Sequence, residues 1–208
     1  MIDKTAIIHP TAKIADDAII GPYVVIGENV TIGHRTRVIS NAHIEFAEIG
    51  DDCTISPFAT IGSEPQDLGY KGEETKVVIG DGTIIKENVT IHRAAACGDF
   101  TTRIGKKCLL MVGSHVAHNC VLGNNIYMAS QTALGGTTVL EDGVQFAGGA
   151  KAAGHLTVGK NAIVTAKAGV TKNVPAGKTV AGFPAIDIDI WRRQMVELRV
   201  MAKKKLEK

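Results

Sequence analysis

The chain has 208 residues, 45% of them hydrophobic but only 4% aromatic, with a formal net charge of +2. That composition excludes a disordered polyelectrolyte and a core built on large rings, so branched aliphatics must fill the interior. No apolar run approaches the ~18 residues of a membrane span and "MIDKTAIIHPTAK" lacks the parts of a signal peptide, so a cytoplasmic protein without stable membrane insertion is expected.

From the N-terminus, aliphatic residues recur every six positions at Ile8, Ile14, Ile20, Ile26, Ile32, Val38 and Ile44, then shift by one to Ile49, Ile55 and Ile61. The period resumes at Ile79, Ile85 and Ile91. It then runs through Ile104, Leu110, Val116, Leu122, Met128, Leu134, Leu140, Phe146, Ala152, Val158, Val164 and Val170, where only Ala152 is small. Neither a helix nor a two-residue strand alternation has a period of six. Gly21, Gly27, Gly33, Gly50, Gly62, Gly80, Gly105, Gly123 and Gly159 directly follow the repeat aliphatic and predict one turn per hexad. Short strands that each bury one aliphatic and then turn stack as an all-β parallel β-helix.

Two segments interrupt the repeat, "GSEPQDLGYKGEETKV" (62–77) and "HRAAACGDFTTR" (92–103). Insertions into a solenoid leave its wall as loops, which either carry function or decorate the surface. Cys53, Cys97, Cys108 and Cys120 are widely spaced with no CxxC pair, which predicts reduced structural thiols and neither a disulfide framework nor a cysteine zinc site. The prism is expected over 1–185. Beyond it, 186–208 places Trp191, Met195, Leu198 and Ala202 at helical spacing, with Asp187 and Asp189 at the start and Lys203 to Lys205 at the end. This predicts a short amphipathic helix whose apolar stripe packs on the prism or on a sister chain.

Charge is segregated: residues 1–150 hold 11 Lys and Arg against 17 Asp and Glu, and 151–208 hold 12 against 4. The basic end either steers an acidic partner or is an ordinary solvated face. It lacks a recognition motif for nucleic acid.

The chemistry-bearing candidates are histidines. In "GSHVAHNCVLG", His115 precedes the inward Val116 and His118 lies two beyond it, so both face outward, where a neutral imidazole can accept a proton. The spacing alone fits a plain pair of surface histidines as well. His9, His34 and His43 read as solvated, His155 as a wall contact or an exposed residue, and Gly135 and Gly136 as turn glycines.

"QDLGYKGEETKVVIG" (66–80), "VTIHR" (89–93) and "HVAHN" (115–119), in that order on a hexapeptide prism, resemble the UDP-N-acetylglucosamine acyltransferases that begin lipid A synthesis. The resemblance spans about 1–185. It implies a left-handed prism with three hexads per coil and transfer of a 3-hydroxyacyl chain from acyl carrier protein to the 3-position of the UDP-aminosugar. The donor chain rides on the carrier's phosphopantetheine arm, so neither a cofactor nor a metal is implied. By the same resemblance His118 is the general base and Gly136 supplies a backbone N–H to the oxyanion. Gln66, Asp67, His92, His115 and Lys172 match substrate positions. A homotrimer is implied, because histidines on a flat wall need a second wall to exclude water.

The sequence departs from that family at Gly69, Thr137, Asn119 and Lys172, where lysine, histidine, aspartate and glutamine are usual. "HVAHNC", "AGHLTVG", "AGVTKNVPAGK" and "GFPAIDIDIWRR" resemble instead the UDP-3-O-acylglucosamine N-acyltransferases, whose separate uridine-binding domain is not expected here because the repeat starts by Ile8. A γ-type carbonic anhydrase, also a hexapeptide prism, is the alternative from another class, but HxxH is not its ligand spacing. A catalytically silent β-helical module would leave the motifs without purpose.

Overall fold

A computed structural model describes residues 1–96, 98–182 and 187–206. Among these residues, short strands form three parallel sheets, the walls of a β-helix, followed by one C-terminal helix. The first wall runs from Ile7–Ile8 to Gly169–Val170, the second from Lys13–Ile14 to Thr157–Val158 and the third from Ile19–Ile20 to Thr179–Val180. Each strand pairs in parallel with the one a full coil later, as His115↔Ala133 and Ala133↔Lys151 show. A coil of regular repeats is therefore three hexads, or 18 residues, long.

The period of six follows from this geometry. In each two-residue strand the second side chain points inward, so Ile20, Val38, Ile55, Ile85, Leu110, Met128, Phe146 and Val164 stack in one column with almost no solvent exposure. Burying such a side chain stabilises the fold by roughly 1.5–3 kcal/mol, and the columns run the length of the prism.

Turns fall once per hexad, as the glycines after the repeat aliphatics predict; of those glycines Gly62 has positive φ (87°), and the others are needed for a different reason. Gly21, Gly33 and Gly105 do not have positive φ. A Cβ on Gly105 would lie 2.4 Å from the Gly123 carbonyl oxygen of the next coil. These positions need glycine because successive coils approach through backbone. The left-handed residue of each turn stands two places later, where Asn29 (φ 53°), Asn41 (φ 50°) and Asn119 (φ 58°) take a conformation that asparagine tolerates.

Cys53, Cys108 and Cys120 are buried reduced thiols. Cys120 donates to the Gly135 carbonyl at 3.3 Å, and burial raises its thiol pKa to about 11. Cys97 lies outside the described residues, as do Phe183 to Ile186 of the "GFPAIDIDIWRR" segment.

Both insertions leave the first wall. Ordered strand extends into their expected edges, as Thr60–Ser63, Lys76–Ile79, Thr90–His92 and Thr101–Ile104, so the excursions proper are 64–75 and 93–100. The outgoing edge stays in register, Lys76 pairing with Thr101, whereas the incoming edge shifts by one residue between Ile61 and Ser63, so that Ser63 pairs with His92.

The helix runs Ile188–Leu206. The Asp187 carboxylate caps it by accepting from the backbone N–H groups of Asp189 (3.0 Å) and Ile190 (3.3 Å). Trp191 is 48% exposed and Leu198 60%, so the expected packing of this stripe onto the prism does not occur within one chain. Among the described residues no helix is long and apolar enough to cross a membrane.

Candidate active site

The corner between the first and second walls brings the candidate residues into order. His115 ends one coil's approach to that corner and His118 sits in its turn; the same turn position in the next three coils holds Gly136, Gly154 and Lys172. His92, on the adjacent strand one coil earlier, meets His115 edge to face with ring centroids 5.1 Å apart.

His118 has 17% side-chain exposure, and its Nδ1 lies 2.9 Å from the Asn119 amide oxygen. The orientation of that amide follows from its other partners. Its oxygen accepts from the Ala95 N–H at 2.8 Å, and its nitrogen donates to the Ala95 carbonyl at 3.2 Å. An oxygen that only accepts requires the proton to be on Nδ1 of the imidazole, so the network assigns the tautomer in which Nε2 keeps its lone pair. Asn119 is buried, and its own N–H donates to Thr102 Oγ1 at 2.8 Å. The second insertion is thereby tied to the back of the His118 ring.

Nε2 faces two features. Asp67 Oδ2, from the first insertion, stands 4.0 Å away. Gly136 lies against the ring so closely that a Cβ there would be 2.5 Å from both Cε1 and Nε2. At the corner between the second and third walls, the N–H of the corresponding residue is capped by a side chain one coil on, as Asn124 N–H is by Asp142 Oδ1 at 2.6 Å. The residue one coil beyond Gly136 is Gly154, which has no side chain, and the Gly136 N–H makes no hydrogen bond to another described residue.

His115 Nδ1 is 2.8 Å from Thr90 Oγ1, and burial lowers its pKa. His92 is lowered by burial first and then by the charges of His115, His118 and Arg93; its buried Nδ1 has no partner among the described residues. Both rings are held toward the neutral form. Among the described residues no group of histidine, cysteine and carboxylate side chains could hold a metal ion.

The first insertion is held by a residue whose role the motif "VTIHR" did not disclose. Arg93 is 6% exposed and donates to Gly62 O at 2.8 Å and to Tyr70 Oη at 3.0 and 3.2 Å. The turn it supports is closed by Gly69 N–H donating to Asp67 Oδ1 at 2.7 Å. Exposed Gln66 precedes Asp67 at its tip. Lys172 is not brought to the base: three coils of about 4.8 Å each put it about 14 Å along the corner. His9, His34 and His43 stand away from the cluster, beside Thr11, Asp17 and Glu45 respectively, and His155 is exposed.

Comparison with known proteins places the chain among relatives. The profile of a family described as the GMPPB C-terminal domain matches residues 2–95. The acyl-[acyl-carrier-protein]–UDP-N-acetylglucosamine O-acyltransferase of Thermodesulfovibrio yellowstonii is 51% identical over 142 residues, 68% of this chain and 55% of that protein. The protein of the same description from Syntrophobacter fumaroxidans is 42% identical over 136 residues, 65% of this chain and 53% of its own length. The chain thus spans about half the length of the curated relatives it matches. Among solved structures, the UDP-N-acetylglucosamine acyltransferase of Francisella novicida superposes with a TM-score of 0.87 and 35% identity, covering 93% of this chain and 73% of that one. LpxA from Bacteroides fragilis gives 0.85 and 35%, covering 93% and 78%. With identity above 30% over more than two thirds of those structures, the chain belongs to the hexapeptide-repeat UDP-N-acetylglucosamine acyltransferase family.

Proposed function

We propose that this chain transfers a 3-hydroxyacyl group from the phosphopantetheine arm of acyl carrier protein to the 3-hydroxyl of UDP-N-acetylglucosamine, the first step of lipid A biosynthesis. The observation that carries the reading is the His118 ring, with Nδ1–H tied to Asn119 and Nε2 open beside Gly136 and Asp67. In this reading Nε2 takes the proton from the sugar hydroxyl as its oxygen attacks the thioester carbonyl. The uncapped Gly136 N–H stabilises the oxyanion. When the tetrahedral intermediate collapses, the carbon–sulfur bond breaks and His118 returns the proton to the departing thiolate, so no acyl-enzyme forms and no cofactor is required.

Gln66 and Asp67 hold the acceptor next to the base, and neutral His92 and His115 line the same wall. Lys172 serves the far end of an extended substrate, not the reacting atoms. The site is open on a flat wall, and a homotrimer in the cytoplasm, with a second subunit facing each His118, closes it. A solution mass of one chain at all working concentrations would rule the trimer out.

The deciding assay offers 3-hydroxyacyl carrier protein with equal amounts of UDP-N-acetylglucosamine and UDP-3-O-acylglucosamine, and resolves the products by mass. Acylation of the first sugar is expected. Turnover only with the already acylated sugar would favour the amine-acylating alternative, for which Asn119 behind the base is the structural argument. His118→Ala should lower turnover about 10²–10⁴-fold with the fold intact, and His115→Ala should be milder.

A further inference from the structure

We infer that Arg93 is a positioning residue that clamps the first insertion and so sets where the acceptor sugar lies relative to His118. The inference rests on the reading of Gln66 and Asp67 as acceptor contacts. Arg93 occupies the corner turn one coil before His118, and its side chain is turned away from solvent toward the insertion. Its guanidinium reaches both ends of the segment that carries Gln66 and Asp67. At one end Nη1 donates to Gly62 O (2.8 Å) and Nη2 approaches Glu64 Oε1 (3.4 Å). At the other, Nε and Nη2 both donate to Tyr70 Oη, whose own hydroxyl donates to Glu73 O at 3.1 Å. The guanidinium carbon stands 4.5 Å from the Phe46 ring centroid and 5.6 Å from that of Tyr70, and Glu45 Oε1 lies 3.6 Å from Nη1.

A fork with donors on several edges and a flat face between two rings is a demand that arginine meets and lysine does not. The walls are hydrogen-bonded by backbone and do not need this side chain. What it adds is to fix both ends of a loop that would otherwise sample many conformations, at an ordering cost that a bound substrate would have to meet. The consequence for the reaction is selective: acceptor affinity depends on the clamp, whereas donor affinity does not.

The test uses the full chain with Arg93→Met and, because that variant leaves Glu45 without its counter-charge, also Tyr70→Phe, which removes only the hydroxyl that Arg93 grips. Two measurements are made on each. In the first, KM for UDP-N-acetylglucosamine should rise about tenfold or more in Arg93→Met and less in Tyr70→Phe, the scale of losing charge-assisted hydrogen bonds, while KM for the acyl carrier protein stays within about twofold. In the second, trypsin cleavage after exposed Lys71, followed by mass spectrometry, should be faster in both variants than in the wild type. Unchanged acceptor KM in a folded variant, or an equal rise in both KM values, overturns the inference. If the wild type accepts no UDP-sugar, the proposed reaction fails by itself, and unaltered cleavage at Lys71 would then still overturn the clamp.

Discussion

Replacing Gly136 with alanine isolates the geometry on which the proposed chemistry depends. The backbone there is not left-handed, so alanine is accommodated without strain in φ, and the substitution keeps the N–H. The added Cβ would sit 2.5 Å from His118 Cε1 and Nε2, whereas unstrained carbon contacts begin near 3.5 Å, so the ring must retreat by about 1 Å. It is held from behind by the 2.9 Å contact of Nδ1 with Asn119, which is itself fixed to Ala95. Retreat therefore breaks the bond that sets the tautomer. Misplacing a catalytic group by about 1 Å costs about 10²-fold, so kcat should fall at least that far. The melting temperature should change little, because no core contact is lost. The assay is steady-state turnover for Gly136→Ala, His118→Ala and the double variant. Where the ring is absent its displacement costs nothing, so in the His118→Ala background the alanine should cost far less than in the wild type, only what the methyl itself takes from the space beside the Gly136 N–H. Near-normal turnover in Gly136→Ala, or full additivity with His118→Ala, would refute the argument.

Three further outcomes are expected. Asn119→Asp keeps an acceptor for Nδ1–H but sets a carboxylate oxygen against the Ala95 carbonyl, so stability should drop by about 1–3 kcal/mol in chemical denaturation. Gly105→Ala, whose Cβ meets the Gly123 carbonyl oxygen at 2.4 Å, should cost about 1–3 kcal/mol by chemical denaturation, while Gly169→Ala, with nothing within 4 Å, should fall within about 0.5 kcal/mol of wild type. His92 and His115 are held below the ordinary histidine pKa, so below about pH 6.5 the unfolded chain binds protons that the folded chain refuses. Stability should be full above that pH and decline as pH falls through the window toward the depressed folded values; melting curves of His92→Gln and His115→Gln between about pH 7.5 and 5.5 should show a flatter decline.

The sequence by itself determined the architecture, because a six-residue period has one economical physical solution: one buried aliphatic per strand and a turn before the next. It located the departures from that period, and it made His115 and His118 outward-facing through their offset from Val116. Other features depend on residues far apart in the chain. Spacing pointed to turns at Gly21, Gly33 and Gly105, yet their glycine requirement arises from the coil stacked beside them, which no local pattern records. The column His118, Gly136, Gly154 and Lys172 exists because 18 residues return the chain to the same corner, and only that return shows Gly154 leaving the Gly136 N–H uncapped while Lys172 stands three coils away. Asn119 stood out in the sequence as an exchange for a carboxylate; its bonds to Ala95, formed across an insertion, are what assign the proton to Nδ1. Arg93 was in plain view within "VTIHR", but a basic residue at the end of a strand has no legible role until the fold places Gly62, Tyr70 and Phe46 around it. Local periodicity decides which way each side chain faces; which side chains meet is decided by the closure of the coil and the paths of two loops that obey no period.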